Sequence, residues 1–129
     1  MMKRMFALLM VGVMLLCGCS AAPTEELSYL QISQEEAKAM IDEGNVIILD
    51  VREQYEYDES HIMDAVLLPL GTIAEETASA VIPAKDSVVL VYCRSGNRSK
   101  QASEKLVALG YENVFEFGGI NTWPYEVLP

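Results

Sequence analysis

Two patterns of apolar spacing alternate along this chain. Val46 to Leu49 and Val88 to Tyr92 are unbroken apolar runs rich in β-branched residues, as strands buried on both faces of a parallel sheet require. Tyr29 to Ile32, Ala65 to Leu68 (ended by Pro69) and Val114 to Phe117 read as further short strands, the first of them at an edge. Between these runs the spacing becomes helical. Ser33 with Glu36 forms a capping box that opens a helix through Ala37, Met40 and Ile41, stopping at Gly44. Thr72 with Glu75 reads as a second capping box, for a helix running to about Val81, ahead of Pro83. Ala102, Leu106 and Leu109 mark a third helix over Arg98 to Leu109, with Gly110 where a helix end wants a left-handed residue. Gln54 to Ser60, acidic and aromatic, reads as an irregular helical turn with Tyr55 and Tyr57 packed beneath it. Strand, helix, strand at this spacing predicts right-handed crossovers. The expected architecture is a single α/β domain: a central sheet of five parallel strands with helices on both faces.

The N-terminus changes the picture. Met1 to Gly18 has basic residues, the apolar run Met5 to Leu16 and then small residues, the three parts of a secretory signal. That run is too short to span a bilayer comfortably. Leu16-Cys17-Gly18-Cys19 resembles a bacterial lipobox with Cys19 as the lipidated residue, which implies an extracytoplasmic protein anchored to a membrane through lipid on Cys19. Cleavage near Ser20-Ala21-Ala22 and a soluble secreted or periplasmic protein is the rival expectation. Residues 19–26 then form a polar, Pro-containing tether, and residues 27–129 form the domain.

Net charge is −10, and the leader carries two of the nine basic residues and no acidic one. Such a surface repels nucleic acid, so nucleic acid is not an expected partner. It also turns Arg94 and Arg98 into a positive island that draws in a small anion at short range. Of three cysteines only Cys93 lies in the expected domain, so an internal disulfide framework is excluded.

Chemistry is expected at the end of the Val88–Tyr92 strand. Cys93 is followed by Arg94-Ser95-Gly96-Asn97-Arg98-Ser99, a tight strand-to-helix turn in which Gly96 and Asn97 tolerate positive φ and let backbone N–H groups point inward. A thiol at the mouth of such a nest, at a helix N-terminus and beside two guanidiniums, ionises below the ordinary value of about 8.5. Four residues separate Cys93 from Arg98. Cysteine phosphatases use a longer loop that cradles phosphate, whereas this smaller ring suits a single extra sulfur carried on the cysteine.

That heptapeptide resembles the active-site loop of single-domain rhodaneses, sulfurtransferases that work through a cysteine persulfide. Asp50-Val51-Arg52 after the second strand, His61-Ile62 and Gly118-Gly119-Ile120-Asn121-Thr122-Trp123 are similar to further segments of that family, in the same order. Ser60 and Asp64 depart from the family pattern, which has glycine there. The resemblance covers nearly all of residues 27–129. It implies that Cys93 is the catalytic nucleophile, with Arg94, Ser95, Gly96, Asn97, Arg98 and Ser99 binding the donor. Asp50, Arg52 and His61 are expected to be structural supports, the rival readings being Arg52 as an added charge at the anion site and His61 as a general base. Gly118 and Gly119 bring backbone close to the loop, and Trp123 caps the core. The expected donor is thiosulfate or a polysulfide and the acceptor cyanide or a thiol, with no cofactor and no metal. Two rival functions remain at this point: a membrane-tethered persulfide carrier or redox sensor with little turnover, and a cysteine phosphatase or arsenate reductase. Oligomeric state is not set by the sequence.

Overall fold

The computed structural model describes residues 28–129. The leader, Cys19 and the tether lie outside the described residues. Strand β1 (Leu30–Gln31) leads to α1 (Gln34–Glu43), which Ser33 caps by accepting the Glu36 N–H at 3.0 Å. Next come β2 (Val46–Asp50), α2 (Gln54–Glu59), β3 (His61–Ile62) and β4 (Val66–Leu67). A 3₁₀ turn (Leu70–Thr72) precedes α3 (Glu75–Val81), then β5 (Val88–Cys93), α4 (Asn97–Ala108) and β6 (Asn113–Gly119). A second 3₁₀ turn (Ile120–Thr122) and β7 (Val127–Leu128) close the chain.

Five strands form one parallel sheet in the order β1-β6-β5-β2-β4, so the most apolar run is the middle strand. The period of two along β5 divides its side chains between two cores. Val89, Val91 and Cys93 pack with Ala78 of α3 and with Ala102 and Leu106 of α4. Leu90 and Tyr92 pack on the opposite face with Ala37 of α1, Ile62, Phe117 and Trp123. The expected α/β sandwich is therefore present, and Cys93 leaves the sheet on the α4 side, at the carboxyl end where open α/β sheets hold ligands.

Three expectations are corrected, and one feature is added. Thr72 does not cap α3: its hydroxyl donates to the Pro69 carbonyl within the 3₁₀ turn. The N-cap position falls at Ala74, whose N–H is received by the Thr77 hydroxyl at 2.9 Å. Tyr55 is not packed beneath α2 but 67% exposed, while Tyr57 is half-buried and donates to the Ala65 carbonyl. Asn97 is the first residue of α4, and Gly96 alone in the loop takes a positive φ, 109°. A second, antiparallel sheet pairs β3 with β7, which two-residue strands give no periodicity to foresee.

Candidate active site

The loop from Arg94 to Gly96 turns directly from β5 into α4, so the first turn of α4 faces the thiol. The Gly96 N–H donates to Cys93 Sγ at 3.0 Å, and the Ser99 hydroxyl lies 3.4 Å from it. Cys93 itself is 1% exposed. Burial pushes its thiol up, but the Ser99 hydroxyl and the backbone N–H groups of Ser99, Gly96 and Ser95 outweigh burial and hold it below the ordinary thiol value. A buried thiol ringed by donors is a preformed receptacle for negative sulfur.

Beneath the loop the two glycines do separate jobs. β5 and β6 pair in register from Val88 with Asn113 to Val91 with Glu116, then shift so that Cys93 faces Gly119. The extra β6 residue is absorbed as a bulge, with Gly118 at φ 90°. Gly119 needs its missing side chain for space: a Cβ there would stand 2.0 Å from the Arg94 carbonyl oxygen and 2.5 Å from Ser95 N. The bulge therefore presses bare backbone against the cysteine loop, and Asn121 N–H ties it there by donating to the Arg94 carbonyl at 3.1 Å.

Glu116 is a site residue that the sequence reading did not include. It is 3% exposed, and its Oε1 receives the Gly118 N–H at 2.8 Å and stands 2.7 Å from the Ser99 hydroxyl. The carboxylate thus locks Ser99, the bulge and the loop into one unit. A single acidic residue inside the apolar stretch Val114-Phe115-Glu116-Phe117 was the available signal.

The two loop guanidiniums are in different states. Arg94 is exposed. Arg98, expected alongside it as a donor-binding cation, is gripped by Glu56 of α2: its Nη1 and Nη2 donate to the two carboxylate oxygens at 2.7 and 2.9 Å. Arg98 holds Glu56 down from its ordinary 4.5 to about 2, burial opposing and the Glu53 N–H assisting. The pair's contribution to stability is complete above the ordinary carboxylate value and is lost only as pH falls through about 2. At any pH used for assay, Glu56 is an anion and Arg98 is neutralised.

Asp50 and Arg52 lie on the other side of β5, as supports. Arg52 forks onto Asp50 at 2.7 to 3.1 Å and donates to the Ser60 carbonyl at 2.6 Å. Tyr92 donates its hydroxyl to Asp50 at 2.7 Å and receives the Ile62 N–H. Burial, then the Asp50 carboxylate, pushes the Tyr92 phenol far up, so it stays a donor. His61 stacks on Tyr57 with ring centroids 3.9 Å apart, and its Nδ1 lies 2.9 Å from the Tyr57 carbonyl. Asp64, standing where the resembling family has glycine, takes the left-handed φ of 67°. Trp123 packs between Phe117 and Tyr125 over the core.

A family model described as Rhodanese-like domain matches residues 33–125. The thiosulfate sulfurtransferase GlpE of Coxiella burnetii is 36% identical over 98 residues, 75% of this chain and 89% of that protein. The tRNA uridine(34) hydroxylase of Erwinia tasmaniensis is 33% identical over 87 residues, but these span 65% of this chain and only 25% of the hydroxylase. Among solved structures, one described as rhodanese with anions from E. coli superposes with a TM-score of 0.59 at 32% identity, covering 64% of this chain and 95% of that one.

Proposed function

The chain belongs to the rhodanese-like domain family, and on that premise we propose that it is a sulfurtransferase working through a persulfide on Cys93. The observation that carries the reading is the ring of donors around one buried thiol, led by Gly96 N–H at 3.0 Å. Cys93 thiolate attacks the outer sulfur of a donor such as thiosulfate or a polysulfide. With thiosulfate, a Cys93 S–S bond forms, the S–S bond of the donor breaks, and sulfite leaves with the electron pair. The new terminal sulfur carries a negative charge, and it takes over the backbone N–H donors of Gly96, Ser95 and Ser99. Arg94 faces the incoming anion. An acceptor, cyanide or a thiol, then attacks the outer sulfur and restores the thiolate. Support comes from GlpE, named a thiosulfate sulfurtransferase, and from the E. coli rhodanese described with anions. Incubation with thiosulfate should add the mass of one sulfur atom to the protein. Prior alkylation of Cys93 should block that gain, and a gain that survives alkylation would contradict the reading.

A place for the protein follows from Leu16-Cys17-Gly18-Cys19: lipid on Cys19 holds the domain outside the cytoplasm at a membrane surface. Growth of a bacterial host expressing the full chain with labelled fatty acid should label the wild type and leave Cys19→Ala unlabelled. Equal labelling of both would sink the anchor.

A further inference from the structure

Beside the cysteine loop lies a cleft of about 300 Å³, lined among others by Arg94, Tyr55, Glu56, Glu59, Ile120 and Asn121. Its charges do not suit a dianion. Arg98 is matched by Glu56 and Arg52 by Asp50, each through two parallel N–H···O contacts. Among the described residues Arg94 takes part in no ion pair, and the carboxylate of Glu59 lines the same cleft. Glu56 is itself held in place, because its Oε2 also receives the Glu53 N–H at 2.9 Å. Tyr55, 67% exposed, and Ile120 add an aromatic and an apolar side chain to the lining.

We propose that Glu56 selects the sulfur donor: by cancelling Arg98 it favours a small organic persulfide of low charge, R–S–SH, over the thiosulfate dianion. The proposal rests on Cys93 being the sulfur carrier. With an organic persulfide the step is Cys93–S⁻ + R–S–SH → Cys93–S–S⁻ + R–SH. One S–S bond forms and one breaks, the organic thiolate leaves with the bonding pair and takes the proton, and the transferred sulfur keeps the negative charge beside the loop N–H groups. One negative charge enters and one remains. With thiosulfate the thiolate meets two further charges, so three must be held together by Arg94 and the loop N–H groups. Coulomb repulsion at this distance in a partly desolvated cleft disfavours that encounter. Tyr55 and Ile120 give the organic group R a surface that thiosulfate cannot use.

Glu56 acts through Arg98 and is therefore a positioning residue, so its test is a ratio of donors. Full-length wild type and Glu56→Gln are compared by kcat/KM for cysteine persulfide and for thiosulfate. Gln keeps an acceptor for the Glu53 N–H and removes the charge. Wild type should favour cysteine persulfide by about tenfold or more. Glu56→Gln should raise kcat/KM for thiosulfate about fivefold, through KM, with cysteine persulfide nearly unchanged. Damage to the fold would lower both donors together. An unaltered or widened ratio in folded Glu56→Gln would overturn the proposal, as would a wild type that prefers thiosulfate, a result that needs no variant. If neither donor leaves sulfur on Cys93, the sulfurtransferase reading fails instead.

Discussion

Cys93→Ser lowers sulfur transfer by about a thousandfold or more while leaving thermal stability within about 1 kcal/mol of wild type. The hydroxyl is smaller than the thiol and fits the same pocket of loop donors. Its ionisation lies far above any assay pH, however, and the donor ring that brings a thiol into range cannot do so for an alcohol. Oxygen is also unable to form the S–S bond on which the reaction depends. Steady-state assay with thiosulfate and cyanide, beside a thermal melt, separates the two effects. Activity within tenfold of wild type in folded Cys93→Ser would remove the thiol from the mechanism.

Asp50→Ala destabilises the domain by about 3–5 kcal/mol, the range for breaking a buried ion pair from one side. Asp50 is wholly buried and Arg52 is 4% exposed. The substitution leaves a guanidinium in the interior with only the Ser60 carbonyl and takes the acceptor from Tyr92. Against a total stability of about 5–15 kcal/mol such a loss removes a large share of the whole. Asp50→Asn keeps an acceptor but removes the charge, so its loss should be intermediate. Urea unfolding checks both. A change below about 1 kcal/mol for Asp50→Ala would mean the network is not a structural tie.

The contrast with Glu56 and Arg98 shows how charge is allotted around the central strand. On the Tyr92 side the pair is sealed in the interior and joins β2, β5 and the segment before β3. On the loop side the Arg98 side chain is 30% exposed, and its pairing adjusts the electrostatics of the cleft more than it holds the fold. One guanidinium position was legible in the sequence and the other was not. Asp50 and Arg52 are two apart in one turn, so their pairing follows from local geometry. Arg98 and Glu56 are 42 apart, and only the packing of α2 against the loop makes them neighbours.

The same distinction runs through the rest of the molecule. The β5 strand, Cys93, the turn at Gly96 and α4 were readable because an unbroken apolar run, a glycine and a helical spacing fall in one continuous segment. The Gly118-Gly119 pair was readable as a close approach, although its division of labour between a bulge and a steric gap was not. Glu116 escaped because its partners come from α4, the bulge and β1 at once. Tyr55 reads as packed beneath its helical turn because it is aromatic, whereas the short helix α2 turns that position outward.

The account stands on Cys93 being held as a thiolate by its neighbours, and the rate of its alkylation as a function of pH reads this directly. Cys93 is the only cysteine of residues 28–129, so the modified site is identified by peptide mapping. The rate should level off with an inflection below the ordinary thiol value of about 8.5, and Ser99→Ala should move the inflection upward. An inflection at or above the ordinary value in wild type would contradict the account.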